Sequence, residues 1–289
     1  MDAGTIAIQL LNGLQYGLLL FLIAAGLTLI FGILGVINLA HGSFYMIGAY
    51  LAYWLSDKTG SLALAVALAI PASLLLGLVV ERCAISFLYQ RDHLYQVLLT
   101  YGLILIFNEL QRIVWGNDVH GVAVPAILAG TIQITETQSY PVYRLFISVI
   151  CILVAAAMYA AIHSTRIGMM IRAGSSSREM VQVLGIDVGR LFAIVFSVGA
   201  ALTAVAGMLA APINSVYPGM GENVLIISFV VVVIGGIGSI KGAFIGSMMI
   251  GLADTFGRVM IPELSSMVVY GLMAAVLLWR PSGLYGVKA

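Results

Sequence analysis

Gly17-Leu-Leu-Leu-Phe-Leu-Ile-Ala-Ala-Gly-Leu-Thr-Leu-Ile-Phe31 is the stretch that decides the fold. It lies inside a longer run, residues 7–31, that contains no Asp, Glu, Lys or Arg. A bilayer core of about 30 Å is crossed by about 20 apolar residues in a helix, because backbone polar groups in hydrocarbon must be satisfied within the segment. This run is long enough. The remainder of the 289 residues has the same character, with 62% hydrophobic and 9% charged residues overall and a mean hydropathy of +1.10. A soluble domain carries roughly 25% charged residues. Too few charges remain to coat a globule of this size. A soluble enzyme, a disordered chain and a nucleic-acid binder are therefore excluded, and the composition specifies an all-α polytopic membrane protein.

Windows of that size give nine hydrophobic segments, near 7–31, 38–56, 62–81, 95–115, 143–163, 190–211, 224–236, 242–260 and 265–280. The seventh is short: about 12 residues rise only about 18 Å. It reads as a tilted or broken helix, so eight spans stand beside nine. Lys and Arg concentrate in cytoplasmic loops. With the amino terminus outside and nine passes, the inner side receives Arg82, Arg91, Arg166, Arg172, Arg178, Arg190, Lys241, Arg280 and Lys288. The outer side receives Lys58, Arg112, Arg144 and Arg258. This alternation puts the amino terminus outside and the carboxyl terminus in the cytoplasm. Residues 1–57 hold no Lys or Arg, so the basic start of a secretory signal is missing. The chain 1–289 reads as one membrane domain.

Two loops are long. The outer loop, 116–142, is polar and β-prone at Gly130-Thr-Ile-Gln-Ile-Thr135. In the inner loop, 164–189, Ser176-Ser-Arg-Glu179 has the spacing of a capping box. Met180, Val183 and Leu184 follow at helical spacing, and Gly185 supplies a left-handed stop. These predict a two-to-three-turn helix over 176–184, too short to be stable alone in water. Either it rests on the protein's own inner surface or the headgroups, with Arg166, Arg172 and Arg178 touching lipid phosphates, or it inserts into a cleft of a separate cytoplasmic protein.

Polar residues inside spans are costly and face other helices or a water-filled path. Asn12, Gln15, Asn38 and His41 are the candidates for such a path; the alternative is interhelical hydrogen bonding, worth about 0.6 kcal/mol each. Asp254 and the Glu109/Arg112 pair lie near helix ends and read as interfacial or paired. Gly235-Gly-Ile-Gly238-Ser-Ile-Lys-Gly242-Ala-Phe-Ile-Gly246 has two readings. Gly238, Gly242 and Gly246 form a groove on one helix, or Gly235, Gly236 and Gly238 break a helix and free backbone groups for solute or neighbours. A nucleotide loop is excluded, because Lys241 precedes Gly242. Cys83 and Cys151 read as buried small hydrophobes. His41, His93, His120 and His163 never pair at helical spacing, and neither a metal-binding nor a catalytic constellation is present.

Four ordered stretches carry a family likeness. Gly26-Leu-Thr-Leu-Ile-Phe-Gly-Ile-Leu-Gly-Val-Ile-Asn-Leu-Ala-His-Gly-Ser-Phe-Tyr-Met-Ile-Gly-Ala-Tyr50 resembles the amino-terminal signature of bacterial ABC-importer permeases for branched-chain amino acids, the LivH/LivM family. Thr165-Arg-Ile-Gly168, Arg172-Ala173 and Leu184-Gly-Ile-Asp187 resemble its coupling-loop motif. Gly235-Gly-Ile-Gly-Ser-Ile-Lys-Gly-Ala243 and Arg280-Pro-Ser-Gly-Leu-Tyr-Gly286 are similar to its later signatures. Ser175-Ser-Ser177 departs from the family, which usually has an acidic or amide residue there. The compact chain is the more LivH-like.

The resemblance implies a half-transporter in the bacterial inner membrane. Its partners would be a second homologous permease, two cytoplasmic ATPases that bind ATP and magnesium, and an extracytoplasmic solute-binding protein. This chain itself would hold no cofactor. Gly168, Arg172, Ser176, Glu179, Met180, Val183, Leu184 and Gly185 would couple to the ATPase. Asn12, Gln15, Asn38, His41, Gly235, Gly236 and Gly238 would line the path. Related permeases also handle urea, short amides and aromatic or dicarboxylic acids. A stand-alone secondary transporter or channel is the alternative class, but it wants mid-membrane ionisable residues. Segments 62–81, 190–211 and 265–280 have essentially none in their interiors.

Overall fold

The computed structural model describes residues 3–89, 91–135, 138–176 and 178–286. Its helices are α1 (Ala3–Leu34), α2 (His41–Thr59), α3 (Leu62–Cys83), α4 (His93–Trp115), α5 (Val142–Ser164), α6 (Arg166–Ser176), α7 (Arg178–Val183), α8 (Val188–Ala210), α9 (Met220–Gly235), α10 (Ile240–Met260) and α11 (Ser265–Trp279). Each of the nine apolar segments is helical. The β-prone loop forms an antiparallel hairpin of β1 (Thr131–Thr135) and β2 (Gln138–Pro141), with Ile132 opposite Tyr140.

Among the described residues, five helices are long and apolar enough to cross a membrane: α1, α3, α4, α5 and α8. The sequence expectation of eight or nine is thus reduced on length and composition. The reasons differ by helix. With 16 and 15 residues, α9 and α11 are apolar but short. In contrast, α2 and α10 are long enough at 19 and 21 residues. Asp57 and Lys58 in α2, and Lys241, Asp254 and Arg258 in α10, lower their apolarity.

At the centre lie α1 and α8. Ala24, Ala25 and Ile30 of α1 and Phe196 and Ala200 of α8 are fully buried. Side chains small enough to let backbones touch make this possible. A Cβ on Gly26 would sit 2.4 Å from the Gly199 carbonyl oxygen, and one on Gly207 only 2.1 Å from that of Tyr45. By contrast, α3, α4 and α5 are mostly exposed, with Leu75, Leu98 and Leu153 turned outward. Cys151 is buried as expected, but Cys83, at the last turn of α3, is exposed.

The segment after α1 is not a simple turn. Gly35 adopts φ 62°, and by residue 41 the chain is back beside Ile23, whose carbonyl lies 3.0 Å from His41 Nε2. Leu34 to Ile23 is about 16 Å along a helix. After the last α1 bond, from the Gly35 amide to the Phe31 carbonyl, residues 36–40 re-enter the bundle outside any helix, and α2 begins in the interior. Neighbouring side chains satisfy that backbone. Gln96 Oε1 accepts from the Ile37 amide at 3.2 Å and Asn38 Oδ1 from the Ala40 amide at 3.1 Å, while the Thr100 hydroxyl, which donates to the Gln96 carbonyl at 2.7 Å, lies 3.5 Å from the Ile37 carbonyl. Irregular backbone at membrane depth survives only when buried in protein in this way. The hydropathy reading of 38–56 as an ordinary span missed it.

The two ends of the bundle are distinct. At one, Gln138 of the hairpin donates to Thr5 at 3.1 Å, and His120 bridges to Val216. At the other, Gly238 packs on Gly32, and the amides of Leu284 and Tyr285 donate to the carbonyls of Ile234 and Gly235 at 2.8 and 3.0 Å. The start of α1 and residues 284–286 lie at opposite ends.

Candidate functional site: a cleft at one end and a docking arm at the other

At the hairpin end, residues 9–19 of α1, the first turns of α5 and α9, the last turns of α10 and the 213–217 loop, with Tyr45 of α2 and Tyr270 of α11, enclose a cleft of about 1020 Å³. Asn12 and Gln15 both line it, with Tyr16, Tyr45 and Asn223. Its charged residues are Arg144, Asp254 and Arg258. Asp254 Oδ2 accepts from Arg258 Nε at 2.8 Å, one turn apart on α10, and the Asp254 side chain is only 10% exposed. Arg144 Nη1 donates to Asn12 Oδ1 at 2.5 Å, and Asn12 Nδ2 in turn donates to Gln9 at 3.4 Å. Burial pushes the Tyr140 phenol above its usual ionisation range, opposed by the charge of Arg144.

Sequence reasoning set Asp254 aside as interfacial or paired. It is paired, but it also stands on the cleft wall. Arg144 and Arg258 entered the sequence argument only as topology markers. Their place on the cleft depends on α5 and α10 converging on α1, which no spacing within one helix reveals. The Glu109–Arg112 pair forms at 3.2 Å, well exposed and off the cleft.

The remaining path candidates are placed elsewhere. Asn38 and His41 are fully buried at the start of α2 and do not line the cleft. The glycine run does break the helix: α9 ends at Gly235, and Gly236 and Gly238 have φ of 95° and 80°. The carbonyls freed there go to the tail, through Leu284 and Tyr285, and not to an open path. A Cβ on Gly236 would lie 2.3 Å from the Gly286 nitrogen. Gly242 and Gly246 do form a groove on α10, against Gly235 and Val231 of α9. Gly238 precedes that helix and packs on Gly32 instead.

At the opposite end, α5 turns into α6 at Thr165, whose Oγ1 accepts from the Gly168 amide at 3.0 Å. Gly168 packs so tightly that a Cβ would sit 2.1 Å from the Ile162 carbonyl oxygen, and Arg172 donates to the same carbonyl. Within the expected 176–184 helix the structure has the shorter α7, and an unexpected helix, α6, precedes it and ends at Ser176. The side chains of Ser176, Glu179 and Met180, and hence the capping box, lie outside the described residues. Gly185 does end α7 in the left-handed region, with φ 80° and the Ile186 amide bonded to the Val181 carbonyl at 3.2 Å. Val181 is buried against the bundle, whereas Val183 and Leu184 are 82% and 71% exposed.

Helices fit to cross a membrane, a charged cleft at one end and an amphipathic arm at the other describe a multi-pass membrane protein. The family described as "Branched-chain amino acid transport system / permease component" matches residues 9–277. This chain belongs to that family, and it is a transport component, not an enzyme. It is 34% identical to the high-affinity branched-chain amino acid transport system permease protein BraD of Pseudomonas aeruginosa, over 96% of this chain and 95% of that one. It is 30% identical to the permease protein LivH of Escherichia coli K12, over 96% and 94%. A probable LivH of Methanocaldococcus jannaschii is 28% identical over 94% and 90%. No solved structure matches.

Proposed function

We propose that this chain is one half of the membrane pathway of an ATP-driven importer for branched-chain amino acids. The observation that carries the reading is the near end-to-end likeness to permeases named for that transport. The cleft is of the size that holds a small solute. The proposed complex pairs the chain with a second homologous permease, two cytoplasmic ATPases that bind ATP and magnesium, and a solute-binding protein outside.

On this reading all nine apolar segments cross the bilayer as a single domain, α2 together with the 35–40 segment that leads into it, and α9 and α11 by tilt or local thinning. An odd number of passes suits termini at opposite ends of the bundle. The distribution of Lys and Arg puts the cleft outside and α6 and α7 in the cytoplasm. Asn12 and Gln15 line the path, while Asn38 and His41 hold the re-entrant segment. Gly168, Arg172 and Gly185 shape the coupling arm, Ser176, Glu179 and Met180 lie along it, and Val183 and Leu184 dock the ATPase.

The test is expression with the neighbouring genes, mild-detergent purification and uptake of labelled leucine, isoleucine and valine into proteoliposomes loaded with ATP. Co-purified permease and ATPases with ATP-dependent uptake support the reading. Uptake of urea or a dicarboxylate instead reassigns the substrate. Transport by this chain alone without ATP overturns it.

A further inference from the structure

The three charged groups on the cleft are not equivalent. Asp254 and Arg258 close on one another at 2.8 Å and present a neutral pair to a solute. Arg144 has neutral company. Its Nη1 is held by Asn12 Oδ1, and the buried Tyr140 lies beside it with its hydroxyl in reach of the guanidinium. Among the described residues no carboxylate lies within ion-pairing distance of Arg144. Among the described residues, the cleft lining therefore carries one uncompensated positive charge.

A guanidinium offers five donors in a planar fork, and Asn12 takes one. The Gln9–Asn12 bond fixes the amide that fixes the guanidinium, so the cation is positioned and not merely nearby. A carboxylate meets such a fork with two parallel hydrogen bonds. The rest of the wall is amide, phenol and aliphatic, as in Asn223, Tyr16, Leu19 and Ile227. It offers no second free charge.

The geometry points to Arg144 as the anchor for the carboxylate of the solute, with Asn12 as its positioning residue. The ligand class is a monocarboxylate with an apolar side chain. A dicarboxylate would bring a second negative charge that no free cation on the wall answers, whereas the ammonium of an amino acid meets acceptor oxygens on Asn214, Asn223 and Asp254; an uncharged amide would leave the guanidinium unused. The inference rests on the importer reading above and adds to it the group that recognises the solute inside the membrane subunit.

The experiment uses the assembled permease–ATPase complex in nanodiscs, without binding protein, and saturation-transfer NMR with three probes: L-leucine, N-acetyl-L-leucine and L-leucinamide. Leucine and acetyl-leucine are expected to give signals about tenfold stronger than leucinamide, the scale of one charge-assisted bidentate contact. Arg144→Gln should erase that contrast and Arg144→Lys should keep part of it. Equal signals for leucine and leucinamide on the unaltered complex, no leucine signal, or a contrast unchanged by Arg144→Gln would each overturn the anchor. If Arg144→Gln does not assemble, the probe series on the unaltered complex and on Arg144→Lys still decides. Leucine uptake by the unaltered complex with its binding protein is measured in parallel. Its absence sinks the importer reading, whereas uptake without the probe contrast sinks only the anchor.

Discussion

The imidazole of His41 sits 2.6 Å from the hydroxyl of Thr203. The same Nε2 lies 3.0 Å from the Ile23 carbonyl, and Thr203 donates onward to Gly199 at 3.1 Å. With the Thr203 proton committed to Gly199, the imidazole Nε2–H serves both acceptors. One buried side chain thereby ties α1, α2 and α8 together at the point where the re-entrant segment ends. His41→Ala is expected to lower stability by about 1–3 kcal/mol, the cost of orphaning buried polar groups. A thermal-shift series in detergent measures it. A double-mutant cycle with Thr203→Val should give a coupling of about 0.6 to 1.7 kcal/mol, the range found between membrane helices. A coupling of zero would mean that the two side chains do not act together.

The tail of the chain makes the second test. Gly236 is left-handed and its α-hydrogen faces the Gly286 backbone. Gly236→Ala meets both a strained φ and a steric collision, and is expected to cost roughly 1–3 kcal/mol from the backbone strain alone. Truncation after Arg280 removes the donors to Ile234 and Gly235 and should destabilise the same corner. Gly236→Ala added to that truncation should then cost less than in the full chain, because the collision partner is gone. Melting temperatures of the four proteins check this, and additive losses would argue against the tail clamp.

These two places also show what the sequence could reveal. Helix positions were legible because apolar runs and their flanking Gly and polar residues are local signals. The β-prone run at 131–135 and the left-handed end at Gly185 were legible for the same reason, whereas the pairing of that run with 138–141 was not. The re-entry at 35–40 was not, since it depends on Gln96 and Thr100 from a distant helix. Hydropathy cannot distinguish backbone bonded within a helix from backbone bonded to a neighbour. The cleft was half legible: Asn12 and Gln15 stood out as amides in hydrocarbon. Arg144 and Arg258 looked like ordinary helix-end charges until the fold brought them against α1. Gly236 and Gly238 signalled a break, but nothing in the local sequence says that residues 284–285 fill it.

Val183 and Leu184 are apolar side chains left in the open beside a buried Val181. Leu184→Asp should therefore change the stability of the isolated subunit by no more than about 0.5 kcal/mol, as for other exposed positions. In the assembled transporter the same change is expected to reduce ATP-driven uptake about tenfold or more, the size of an interface hot spot. Val181→Asp serves as the contrast, because it should destabilise the subunit itself. Normal uptake with Leu184→Asp would remove α7 from the coupling surface.

The Asp254–Arg258 pair separates charge balance from mere presence of charge. Asp254 is nearly buried while Arg258 is more than half exposed, so the two single changes are not symmetrical. Asp254→Asn leaves a largely solvated cation without its partner on the cleft wall and is expected to destabilise the protein by no more than about 1 kcal/mol. Arg258→Gln strands the more deeply placed carboxylate, whose charge is answered by water less well, and should cost at least as much. The double variant Asp254→Asn, Arg258→Gln restores neutrality with side chains of nearly the same shape. It should lie closer to the unaltered protein than either single variant, in melting temperature and in uptake alike. The order of the three follows from electrostatics, because only the singles change the charge that surrounds Arg144. A double variant as damaged as the worse single would show that these residues act separately, and that the cleft is not organised around one free positive charge.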